Sequence, residues 1–150
     1  MNVFLDLEET IIRSWSDARL MNAQKIRDFL HQNSVKQVSI FSFAVWDVKD
    51  QARFADEILP MIETALDVKV VLCPTVQDMM LADTKLTGVR WFGDVSEFIP
   101  IRGKHGAFHN WCMLNCVGQE SILIDDVVKH TFFIDHDSNT AVTTFNVNTL

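Results

Sequence analysis

VFLDLEETII, residues 3–12, decides how the rest of the chain is read. Apolar residues that suit a buried strand run straight into Asp6, and Glu8 and Glu9 follow within three positions. A solvated turn explains such an ending. So does a site that works with a carboxylate and holds a cation beside it, because like charges so close destabilise a fold unless a cation or protons intervene. A second stretch, ESILIDD at 120–126, repeats the pattern: a short apolar run closed by Asp125 and Asp126.

Strand and helix patterns alternate between these two stretches. Residues 2–6 read as a strand, and the three- and four-residue steps of Leu20, Ala23, Ile26 and Leu30 predict a helix over 17–30, capped by Ser16 or Asp17. The β-branched and aromatic run 35–43 predicts a strand, and 50–66 a helix that Pro60 kinks or breaks near Leu59. A strand at 68–74 and a shorter helix with Val76, Met79 and Met80 facing inward follow. Residues 84–103, with Gly88, Gly93, Pro100 and Gly103, read as loop with at most a short strand. A helix between Gly106 and Gly118 leads to strands at 120–126 and 130–136, and 141–147 reads as an edge strand. Such alternation predicts an α/β chain with a mostly parallel sheet covered on both faces. Right-handed crossovers then bring the C-terminal ends of the strands to one edge, where ligands of such folds bind. The absence of repeats, low-complexity tracts and linkers is consistent with one domain over 1–150.

Bulk properties narrow the function classes. The chain of 150 residues is 48% hydrophobic and 22% charged, ordinary for a globular domain. A net charge of −7 opposes binding to extended nucleic acid but leaves room for a phosphorylated ligand at a local cation. No apolar run approaches membrane-spanning length, and no basic segment followed by an apolar one marks a secretory signal. Three cysteines without framework spacing point to reduced thiols and a cytoplasmic setting. Cys112 and Cys116 lack a second pair at zinc-ligand spacing and read as buried structural thiols.

Four short motifs in order resemble those of the haloacid dehalogenase superfamily, and together they cover about residues 2–130. VFLDLEETII resembles the first motif, an apolar strand followed by Asp-x-Asp-x-Thr, and ILIDD resembles the last, a strand closed by paired acids. Ser42 ends the second strand where the family keeps Ser or Thr, and Lys104 precedes the helix before ILIDD where it keeps a basic residue. The resemblance implies a Rossmann-like three-layer α/β/α sandwich with strand order 5-4-1-2-3, and a compact phosphatase without a cap domain. It implies that Asp6 is the nucleophile and Glu8 the general acid and base. Ser42 and Lys104 would hold the phosphoryl group, and Mg2+ would sit on Asp6, Asp125, Asp126 and the backbone carbonyl of Glu8. The substrate would be a nucleotide or the phosphorylated end of a macromolecule, since neither insertion region leaves room for a helical cap.

The sequence departs from the motif at Glu8 and Glu9, where the family has Asp and a small residue. Glutamate reaches about 1.5 Å further, and a misplacement of about 1 Å can cost a hundredfold in rate. A non-catalytic binding or regulatory module that keeps the metal is therefore a second reading. Individual residues carry alternatives too: Asp125 as a helix cap, Ser39 in place of Ser42, Arg102 or His105 in place of Lys104. Asp47 lies just past the second strand. His130, Asp135, His136 and Asp137 read as surface or turn residues, and Trp15 and Trp46 as the tryptophans nearest the site.

Overall fold

The computed structural model describes residues 1–92 and 94–150, so Gly93 of the stretch read as loop lies outside the described residues. It is an α/β structure built on one six-stranded, mostly parallel sheet. The central strands β1 (Asn2–Leu5) and β4 (Glu120–Asp125) are apolar and buried almost throughout, as strands covered on both faces must be. Their side chains alternate between two cores. Val3 and Leu5 join Ile26 and Leu30 of α1 (Ala23–Gln32) and Ile62 and Leu66 of α3 (Leu59–Leu66). Phe4 faces the other way, toward α4 (Val76–Thr87) and α5 (Val95–Asn115), and packs edge-on against Phe108 with ring centroids 5.2 Å apart.

In the direction of the expected order 5-4-1-2-3, the strands run β5-β6-β4-β1-β2-β3, with β2 at Gln37–Ile40 and β3 at Lys69–Leu72. The 4-1-2-3 portion matches the expectation. The rest is corrected: β6 (Thr140–Asn146) is an interior strand parallel to β4, and β5 (Thr131–Asp135) is the antiparallel edge. The reason lies in polar residues of β6. Asn146 Nδ2 donates to the carbonyls of Asp126 and Val128 at 2.9 and 3.0 Å, and the Thr144 hydroxyl donates to the carbonyl of Lys129. These bonds draw the 126–130 connection across β6, so the chain passes over that position before β5 begins.

The first helix starts at Ala23, not near Asp17, and neither Ser16 nor Asp17 caps it. Leu20 is spent elsewhere: it bridges to Ile12, and Arg13 N donates to the carbonyl of Arg19 at 2.8 Å, folding 11–21 back on itself. The helix read over 50–66 is instead α2 (Val48–Arg53), a wider π turn at Phe54–Ile58, and α3. Pro60 falls in the first turn of α3, where its missing N–H costs least, and the π turn absorbs the break expected near Leu59. Most of 84–103 is helix rather than loop: α4 runs to Thr87 and α5 opens at Val95, capped by Asp94. Gly103 (φ 74, ψ 165) divides α5 into 95–102 and 104–115. That φ is open to glycine at little cost. No helix among the described residues is long and apolar enough to cross a membrane.

Candidate functional site

The parallel ladder fixes where the two acidic tips meet. Leu5 is abreast of Ile124, and Asp6 N donates to the carbonyl of Ile124 at 3.0 Å, so Asp6 and Asp125 leave the same edge side by side. Leu5 is also abreast of Ile40, which brings Ser42 to that edge two residues later. One oxygen each of Asp6, Asp125 and Asp126 lies within 4.8 Å of the others. It is the one set of three metal-ligating side chains so convergent among the described residues. The three acids line a cleft of about 220 Å³ with Glu8, Ser42 and Lys104.

Lys104 comes from the far side of the molecule's sequence. It is the first residue after the Gly103 break, and its Nζ lies 2.8 Å from Asp6 Oδ1 and 3.6 Å from Asp125 Oδ2. The ammonium also stands 4.9 Å from the Phe43 ring centre and 5.8 Å from that of Phe41. Asp6 and Asp125 are 6% and 1% exposed. Burial pushes both carboxyls above the usual carboxylate range, and Lys104 opposes that rise at each. The negative charge of Asp125 adds to the rise at Asp6.

Asp125 Oδ1 accepts from Asp126 N at 2.6 Å and Val127 N at 3.2 Å. Its buried Oδ2 accepts no hydrogen bond from any described residue. An anionic oxygen left short inside a three-carboxylate cleft suits a hard divalent cation, which takes carboxylate oxygens readily. Asp6, Asp125 and Asp126 are the side chains that could hold one.

The remaining sequence candidates divide cleanly. Ser42, 1% exposed, lines the cleft and its Oγ accepts from Ala44 N at 3.1 Å, whereas Ser39 lines a separate hollow with Val71 and Asn115. Arg102 turns away to Asp83, and His105 Nε2 lies 3.4 Å from Thr131 Oγ1. Glu8 lines the cleft, but its Oε2 is occupied by Trp15 N at 2.8 Å. Trp15 in turn carries Arg53 over its ring at 4.5 Å. Trp46 is 44% exposed, and Asp47 caps α2. Asp135 binds the Ser138 hydroxyl in the β5–β6 turn, and His130 stacks on Phe145 at 4.5 Å. The three thiols are unpaired.

Two contributions escaped the sequence reading. Thr10 is fully buried and its Oγ1 donates to Asp6 Oδ2 at 3.4 Å; it occupies the Thr position of the first motif, a signal already present. Asp83 is the other. It binds Arg102, Trp91 and Asn110 and so anchors the segment before Gly103 from which Lys104 departs. Its signal was its place on the Val76, Met79, Met80 face of α4, an acid where an apolar residue would be expected.

The chain was compared with protein-family models, curated proteins and solved structures, and no match was found in any of the three.

Proposed function

We propose that the protein is a magnesium-dependent phosphohydrolase with a Rossmann-like fold of the haloacid dehalogenase type, acting through an aspartyl-phosphate on Asp6. The observation that carries this reading is Lys104 held between the carboxylates of Asp6 and Asp125, with Asp125 Oδ2 accepting no hydrogen bond. Asp6 would attack phosphorus, the bond from phosphorus to the leaving oxygen would break, and that oxygen would take a proton. Water would then cleave the acyl-phosphate and restore the Asp6 carboxylate. Lys104 would offset charge on the transferring group, and Ser42 would hydrogen-bond one of its oxygens. Asp125, Asp126, Asp6 and the Glu8 carbonyl would hold Mg2+, which when bound screens the approach of two anions.

The cleft of about 220 Å³ is smaller than the roughly 300–1,000 Å³ that encloses a whole small ligand. It suits a phosphoryl group whose parent molecule stays outside, as with a nucleotide or the end of a macromolecule. Residues 6–22, folded back as a short hairpin, form no helical cap over it.

Glu8 favours a second reading. Its carboxylate is engaged with Trp15 N, so a leaving oxygen meets an acid already committed to holding a loop. On that reading the protein binds metal and phosphate without turnover. Purified protein with Mg2+ and a chromogenic aryl phosphate separates the two. Phosphate release that Asp6→Asn reduces to background supports the enzyme. Equal rates in wild type and Asp6→Asn sink it, and beryllofluoride binding without turnover would then favour the module.

A further inference from the structure

The two edges of the sheet are finished differently. At the β3 edge, Val70 N donates to Glu63 Oε2 at 2.9 Å and Gln51 Nε2 donates to the carbonyl of Cys73 at 2.7 Å. Exposed Lys69 adds a charge there. Helix side chains and a lysine thus occupy an edge that would otherwise invite another strand.

The β5 edge has no such cover. Among the described residues no side chain or loop bonds to a backbone group of Thr131–Asp135 on the side away from β6. Phe132 is 66% exposed and Phe133 42%, two adjacent aromatics on opposite faces of an edge strand. Natural edges are usually blunted by charge, proline or a bulge, and TFFID carries none before its final residue.

We propose that β5 pairs antiparallel with β5 of a second copy of this chain, joining two six-stranded sheets across a two-fold axis. Charge selects this occupant. The strand is preceded by Lys129 and His130 and ends in Asp135, with Asp137 just beyond, all but Asp135 exposed. A two-fold axis sets one residue opposite its own copy. With Phe132 on the axis, Lys129, just before the strand, comes opposite Asp135 of the second copy. This register opposes a base to an acid at both ends of the pairing and stacks aromatic residues at its centre. Parallel pairing would set like charges together. One strand's pairing buries less than the roughly 1,200–2,000 Å² of a stable complex, so the dimer is a weak one, of about micromolar affinity or looser.

Sedimentation velocity from low to high micromolar concentration tests this. Wild type should shift from monomer to dimer with no larger species. Phe132→Lys should stay monomeric with an unchanged circular dichroism spectrum, because the side chain it replaces is mostly in solvent. Lys129→Glu alone and Asp135→Lys/Asp137→Lys alone should each be monomeric, while their mixture should form a dimer of one chain of each. A wild type that stays monomeric overturns the proposal, as does a Phe132→Lys variant that still dimerises or a mixture that fails to associate. If Asp135→Lys unfolds the hairpin by losing the Ser138 hydroxyl bond (2.6 Å), wild type and Phe132→Lys decide the matter alone.

Discussion

Arg102 and Lys104 are separated by one glycine, yet they enter two opposite kinds of charge cluster. Arg102 meets Asp83, whose Oδ1 lies 2.7 Å from Arg102 Nε and accepts from Asn110 at 2.6 Å, while its Oδ2 accepts from Trp91 at 2.9 Å and Arg102 Nη2 at 3.2 Å. Every oxygen of that carboxylate has partners. Lys104 meets Asp6 and Asp125, where three acids share one cation and Asp125 Oδ2, 3.6 Å from that cation, accepts no hydrogen bond. Gly103, at a φ of 74°, breaks the helix between the two. The Asp83 cluster sets one acid against an arginine and two neutral donors and anchors the segment before Gly103, whereas the Asp6 cluster sets three acids against one lysine.

Asp83→Ala is the hardest blow to this contrast. It strands the Arg102 guanidinium and leaves the Trp91 and Asn110 donors short, so it should cost about 3–5 kcal/mol, the loss expected when one partner of a buried pair is removed. At about 2–4 °C per kcal/mol for a chain of this size, melting should fall by roughly 10 °C. A loss below about 1 kcal/mol in urea unfolding would mean the cluster is not the anchor described.

Asp125→Asn should do the reverse. In chelator it removes a buried negative charge while Oδ1 keeps its place as acceptor for Asp126 N and Val127 N. The variant should therefore be at least as stable as wild type, because burial already disfavours the charged form of Asp125. Under the proposed metal site, it should also lose most of the rise in melting temperature expected of wild type with Mg2+. A destabilised Asp125→Asn with wild-type Mg2+ response would place Asp125 with the structural carboxylates instead.

The pH dependence sharpens the same contrast. Asp6 and Asp125 are raised above the ordinary 3.8, so the folded chain holds protons that the unfolded chain has already released. Their contribution to stability is thus largest below about pH 4 and is lost as pH rises through the folded values. The stability difference between wild type and Asp6→Asn/Asp125→Asn, measured in chelator, should fall on going from pH 4 to 7. Under the proposed metal site, Mg2+ should oppose that fall, since it would bind the deprotonated pair. A difference that stays flat with pH would contradict the raised values.

Much of this arrangement could be read from the chain alone, and the exceptions have physical causes. VFLD and ILIDD declared themselves because strands buried on both faces must be continuous apolar runs, and an acid at the end of one is conspicuous. Ser42 and Lys104 came from the resemblance to the haloacid dehalogenase motifs, with Ser39, Arg102 and His105 as rivals. The hairpin at 11–21 did not, because Leu20 fits a helical stripe as well as it fits a bridge to Ile12. The helical segment 95–102 was hidden by Pro100 and Gly103, which signal loop locally but stand inside and at the end of a helix clamped by Asp83. β6 escaped because AVTTFNV has the composition of any edge strand, and only the bonds of Thr144 and Asn146 across the turn give it an interior place.

Glu8→Asp carries the smallest expected effect and the finest distinction. Glu8 Oε2 accepts from Trp15 N at 2.8 Å, across a chain separation of seven residues, and this bond closes the loop that borders the cleft. Aspartate is shorter by one C–C bond, about 1.5 Å, and cannot make that contact from the same backbone. Losing one part-buried hydrogen bond should lower stability by about 0.5–1.5 kcal/mol. The shortened carboxylate is also released toward the cleft, so under the proposed mechanism aryl phosphate turnover should rise even as the melting temperature drops. These two readouts move in opposite directions only if Glu8 now serves the loop at the expense of proton transfer. A variant that loses stability without gaining rate would leave Glu8 as a loop clasp alone, and would shift the balance toward a protein that binds phosphate and metal without turning substrate over.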